Sequence, residues 1–153
     1  VYLSKVLGPS SLLLLDWVGA AFRTDLSVTV GRQYPGPAGA SGVIMAAFGS
    51  GTEAELEALF ARVAWYRKPS FGDFLARVSE ARQSGFAVDC GTMFQGITQV
   101  SVPVLSPSWA LLLVLTAAGH AHDIDSDAVG LLSRAMQSAA ARLSESVRLL
   151  RLE

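Results

Sequence analysis

Asp89 and Gln99 are the residues whose types and spacing most clearly call for a chemical explanation. They lie in GFAVDCGTMFQGITQVSVPVL, residues 85–105, where a strand-like run rises to one acid, breaks into a loop and returns as an alternating strand. In the returning strand Val100, Val102 and Val104 share one face, and Ile97, Gln99 and Ser101 share the other. In the apolar strand that follows, Leu111–Ala118, Thr116 and Ala118 share a face. If these strands pair antiparallel, Asp89, Gln99 and Thr116 can line one concavity. A few polar groups in an apolar frame are the lining of a small-ligand pocket. The same spacing equally suits a hydrogen-bonded structural cluster, and periodicity does not separate the two.

A second candidate is GPAGASG, residues 36–42. No lysine follows, since Val43 and Ile44 come next, so it is not a phosphate-binding P-loop, and the spacing is not G-x-G-x-x-G. If Gly39, Ala40, Ser41 and Gly42 open a helix, their N–H groups can hold an anion. Small residues here also serve close packing, and spacing alone favours that. GHAHDIDSD, residues 119–127, holds both histidines beside Asp123 and Asp125. Its spacing matches neither a helical i,i+4 metal pair nor a calcium loop, so a solvated loop and helix cap is the better reading. Cys90 sits beside an acid with no base near it in sequence, which argues against a nucleophile. There is no G-x-S-x-G elbow. Catalysis would need a base that the pattern does not supply, so the sequence reads as a non-enzyme with no cofactor and no metal.

The elements that must position these residues can be read from turn chemistry and period. Val1–Leu7 and Leu12–Val18 read as strands joined by Gly8-Pro9-Ser10-Ser11, and Asp25–Val30 as a third. Gly31 and Pro35 then punctuate the chain before a helix that Pro37 can open and Gly49 can end. Thr52 and Glu55 form a capping-box pair that opens TEAELEALFARVAW. Ser70–Ser84 repeats a helical pattern that Gly85 ends. Phe86–Asp89, Gly96–Leu105 and Leu111–Ala118 read as strands, with Pro107 and Ser108 turning the last pair. From about Ser126, with Asp125 as cap, a long helix carries Val129, Leu132, Met136, Ala139, Leu143, Val147 and Leu150 on one stripe. Strands, helices, strands and a helix argue an α+β domain with an antiparallel sheet.

The whole chain, 153 residues, suits one domain with a real core. Hydrophobic residues make up 51% and charged residues only 16%, which points to a surface partly covered by a partner or another copy. A net charge of −1 gives no basis for direct nucleic-acid binding. One cysteine excludes an internal disulfide and suits a reducing cytoplasm. Leu12–Leu15 is too short for a signal-peptide core. WALLLVLTAAG falls short of the roughly 18–20 residues of a membrane span, so a soluble protein without membrane contact is expected. The chain opens in a strand-like segment without methionine, which leads us to expect a piece of something longer.

LLLLDWVGAAFRTDLSVTVGRQYPGPAGASGVIMAAF, FLARVSEARQSGFAVDCGTMFQGITQVSVPVL, and LTAAG with a helix opening at DIDSD follow one another in a specific order. Together they resemble the effector-binding domain of IclR-type bacterial transcription regulators over nearly the whole chain. The resemblance implies a GAF-like fold, an antiparallel sheet flanked by helices, spanning residues 1–153. It implies a cytoplasmic regulator, such as a repressor, that binds a small, carboxylate-bearing effector and assembles as a homo-oligomer, dimer or tetramer. DNA would be bound only through an N-terminal winged helix-turn-helix domain that this chain does not contain.

Carried over residue by residue, the resemblance assigns Asp89 to the family's pocket aspartate. Gln99 stands where glyoxylate-binding members have a cysteine, and Thr116 and Ala118 where they have two serines. Ala40 and Ser41 match helix-start positions whose N–H groups hold the ligand carboxylate, and Leu26, Tyr34 and Ile97 match the apolar lining. Gly36-Pro37, Val43 and the CGTM segment at 90–93 depart from the family pattern, as do Gln99 and Ala118. A pocket retuned this way points away from glyoxylate, towards a larger or more apolar ligand or none. Asp89→Ala is expected to weaken binding without unfolding the domain. The alternative is the same fold with a collapsed pocket, filled by Tyr34 and Gln99 and kept only for oligomerisation.

Overall fold

Turn chemistry and hydrophobic period account for most of the elements found in a computed structural model, which describes residues 1–19 and 29–150. Strands β1 (Tyr2–Val6) and β2 (Ser11–Trp17) form a hairpin around Gly8-Pro9, and β3 (Gln33–Pro35) pairs with the start of β2. Helices α1 (Gly39–Phe48), α2 (Glu53–Arg62) and α3 (Phe71–Ser84) follow, then β4 (Ala87–Cys90), β5 (Ile97–Leu105), β6 (Leu111–His120) and α4 (Ser126–Leu150). The strands make one six-stranded sheet in the order β3-β2-β1-β6-β5-β4, every neighbouring pair antiparallel. This is the expected α+β class.

Period-2 alternation sends the valines of β5 into one core and turns Ile97, Gln99 and Ser101 to the side on which α1 packs. Val100, Val102 and Val104, with Ala117 of β6, pack against Met136 and Ala140 of α4. On the other face Leu12, Ala87 and Val114 meet Ala40, Val43, Ile44 and Met45 of α1, Phe60 of α2, and Phe74, Val78 and Ala81 of α3. Helix α1 packs across β4, β5 and β6, and α4 covers chiefly β5 from the opposite side.

Several boundaries differ from the expected ones for local physical reasons. Helix α1 begins at Gly39, with Ala38 as its N-cap and Pro37 outside it. A Cβ on Gly42 would come 2.8 Å from Pro37 Cα, so the turn packs beneath the first helical turn instead of joining it. Helix α2 opens on the predicted Thr52–Glu55 capping box but stops at Arg62. Its chain turns there so that Trp65 can pack at a tilt against Phe60, ring centroids 5.0 Å apart, and donate Nε1–H to Phe60 O at 3.2 Å. Ser70 caps α3, and Gly85 ends it in the left-handed conformation (φ 77°) that favours glycine. Strand β6 runs on to His120, and Ala140 rather than Ala139 takes the buried place on α4, four residues after Met136. Asp125 Oδ1 accepts from Ala128 N–H at 2.9 Å, as a helix cap should. The short strand β3 was not anticipated in the Gly31–Pro35 turn. Of the expected strand Asp25–Val30, residues 25–28 lie outside the described residues.

Candidate ligand-binding site

Antiparallel register brings the polar residues of three strands together. Asp89 of β4 lies directly opposite Gln99 of β5, and Gln99 lies opposite Ala118 of β6. One row further on, Ser101 lies opposite Thr116, and Thr116 opposite Tyr2 of β1. All share the face on which α1 packs, because each row steps by two along its strand. Ser101 Oγ and Thr116 Oγ1 are hydrogen-bonded at 2.8 Å, and Gln99 Nε2 donates to Tyr2 Oη at 3.2 Å.

Tyr2 is at the centre of this row, and sequence reasoning missed it. Burial pushes its phenol from the ordinary 10.0 up to about 12; Thr116, bonded to it, opposes the rise, while Tyr34 and Asp89 nearby add to it. The hydroxyl keeps its proton well above the ordinary range and accepts from Gln99 Nε2. The available signal was weak: a tyrosine alternating with Ser4 in the first strand.

Asp89 is 2% exposed, and its carboxylate is already engaged. Thr92 donates both its N–H and its hydroxyl to it, Met93 donates N–H at 3.3 Å, and Arg77 of α3 approaches to 3.5 Å. The acid thus ties loop 91–93 to β4 and α3. The Asp-x-x-Thr spacing, in which a carboxylate accepts from an N–H three residues on, was the legible sign of that role.

Helix α1 presents its N-terminus to this row. Ala38 makes no side-chain cap, there is no acid in the first turn, and Gly42 N–H to Ala38 O at 2.9 Å is the first intrahelical bond. The N–H groups of Gly39, Ala40 and Ser41 precede it and carry the positive end of the helix dipole. The other end is handled differently: Arg82 of α3 donates Nε–H to Ala47 O at 3.0 Å and NH2 to Ala46 O at 3.3 Å. Ala40 is fully buried, and Ser41 is half-buried with its hydroxyl on Ala38 O. Gly39 has φ +59°, and a side chain there would strike Gln99 Oε1 and come 3.3 Å from Met93 Cγ. The small residues thus allow close packing at Gly39 and Gly42 beside a helix start without a side-chain cap.

Of the other expected residues, Ile97 is buried on the Gln99 face, and Ala118 is half-buried. Tyr34 stands on β3 opposite Leu12, its hydroxyl accepting from Thr29 N–H at 3.5 Å and its ring under the Arg32 guanidinium. Leu26 lies outside the described residues. Asp89, Gln99, Thr116, Ala118 and the α1 start therefore converge, joined by Tyr2, Ser101, Thr92 and Met93.

No protein-family profile and no curated protein matches this chain. Solved structures do. An IclR transcriptional regulator from Alicyclobacillus acidocaldarius matches at 24% identity and a TM-score of 0.78, over 94% of this chain and 59% of that one. The Thermotoga maritima IclR matches at 19% and 0.79, over 95% and 60%. An IclR homologue from Microbacterium hydrocarbonoxydans, complexed with 4-hydroxybenzoate, matches at 17% and 0.76, over 97% and 60%. This chain spans about three fifths of the length of those proteins and has the fold of that part of them.

Proposed function

We propose that this chain is the ligand-sensing regulatory domain of an IclR-type transcription regulator, working in the cytoplasm. The observation that carries the reading is the uncapped start of α1 set over the polar row of β4, β5 and β6. Its effector is a small organic acid. The carboxylate is held by the N–H groups of Ala40 and Ser41, the polar remainder is read by Gln99 and Thr116 with Ala118 beside them, and the apolar body lies against Tyr34 and Ile97. Asp89 shapes the site by holding Thr92 and Met93. The solved regulators of this fold, one complexed with 4-hydroxybenzoate, support it. DNA contact belongs to a separate winged helix-turn-helix domain, and the effector acts by its differential affinity for two arrangements of a homo-oligomer.

A second reading, an assembly module with a closed pocket, is favoured by one observation: the Gln99 side chain lies against Gly39. Thermal stability across a panel of aliphatic and aromatic acids separates the two. A ligand at 100 times its dissociation constant adds about 2.7 kcal/mol, and a true hit also shifts the backbone amide resonances of Ala40 and Ser41. Silence across the panel, with a uniform oligomer in solution, supports the assembly module instead.

A further inference from the structure

The two faces of the β1–β2 hairpin are covered unequally. Ser4, Leu12 and Leu14 point to the side on which α1 packs and are buried. On the opposite face Leu3, Leu13 and, beside Leu3, Leu115 of β6 are only half-buried, and Leu15 is 38% exposed. Helix α4 lies on that face but chiefly over β5, which leaves the leucines of β1 and β2 beyond its cover. Two charges stand among them. Lys5 lies opposite Leu13, and the register shift between Leu3 and Ser4 sets Leu15 and Asp16 together against Leu3, so the bulge turns Asp16 to the open face. Both charged residues are exposed. One Asp16 oxygen accepts from Trp17 N–H at 2.8 Å, and among the described residues neither Lys5 nor Asp16 makes an ion pair.

We infer that this open face is where a second copy of the chain docks, with Lys5 of one protomer paired to Asp16 of the partner subunit and the leucines buried between them. The inference rests on the homo-oligomer in the reading above and adds its surface. A two-fold axis brings one patch against itself, so the patch must be its own complement. This one carries a cation and an anion among leucines, and a two-fold that lays Lys5 over Asp16 does so twice. An acidic or a basic partner would satisfy one of these charges and meet the other with its own sign. Burial of the leucines supplies affinity, and the ion pairs fix the register in which the copies meet.

The test is sedimentation of the whole chain at micromolar concentration, as wild type, as Lys5→Glu, as Asp16→Lys and with both changes. Each single change sets like charges against each other at both ends of the two-fold, and it is expected to weaken self-association at least about tenfold. The double exchange is expected to restore it, because the pair is only reversed. An equimolar mix of the two single variants is expected to associate as well, since each supplies the charge the other lacks. Single variants that dissociate and stay apart on mixing overturn the inference, because the two charges then do not meet. Should a single variant not fold, Leu15→Gln on the same face is expected to weaken association in the same direction, and unaltered association there overturns the inference too. A wild type that associates and is indifferent to every change assembles through another surface, which overturns the inference and leaves the homo-oligomer standing. A monomeric wild type overturns both and leaves the face to a different partner.

Discussion

Asp89 and Tyr2 show how far a residue's role depends on its partners. Taken as a ligand reader, Asp89 should be removable without structural loss. With Thr92 donating twice, Met93 once and Arg77 alongside, Asp89→Ala instead strands buried donors. It is expected to lower the unfolding free energy by about 2–3 kcal/mol in urea titration, and an unchanged midpoint would return the residue to a pure ligand role. Tyr2 makes a pH prediction. Its folded pKa of about 12 lies above the unfolded 10.0, so the folded state keeps a proton that the unfolded state gives up. Its contribution is whole below pH 10 and is lost as pH rises from 10 towards 12, on the order of 2 kcal/mol. Tyr2→Phe should flatten that alkaline fall in denaturant-measured stability. A fall as steep as wild type would place its cause elsewhere.

At the scale of elements, glycine in a helix is usually a cost of roughly 1 kcal/mol against alanine. Gly130 in α4 has only Arg134 within 3.6 Å of an added Cβ, so Gly130→Ala is expected to raise stability by up to about 1 kcal/mol. Gly42 in α1 is the opposite case, because the added carbon would run into the Pro37 backbone. Gly42→Ala should lower stability by about 1–3 kcal/mol, despite the gain in helix propensity. Equal effects at the two sites, read from thermal unfolding, would show that propensity alone governs α1. The Thr52 capping box stands outside both arguments, and Thr52→Ala should cost about 1 kcal/mol.

For the whole molecule, β5 lies between α4 and α1, sending its valines to the core under α4 and Ile97, Gln99 and Ser101 to the α1 side. The low charged content and exposed Leu15, Leu131 and Leu149 fit an assembly of copies. Sedimentation is expected to give a mass of at least twice the 16.1 kDa chain, and a monomer at micromolar concentration would count against the homo-oligomer. The antiparallel sheet, the helices and the convergence of Asp89, Gln99 and Thr116 on one face were legible because period and turn chemistry are local properties. The partners of those residues were not: Tyr2 reaches Gln99 across 97 positions of sequence. Arg77 reaches Asp89 from another element altogether.

By itself the sequence determined the α+β class, the capping box that opens α2, the helix stop at Gly85 and which face of β5 carries its valines. Each of these follows from a few neighbouring residues, whose spacing is written in the chain. Only the tertiary structure decided which donors fill the Asp89 carboxylate and what faces the start of α1. Those depend on strand register and helix docking, which arise from burying two cores at once and leave no local signature.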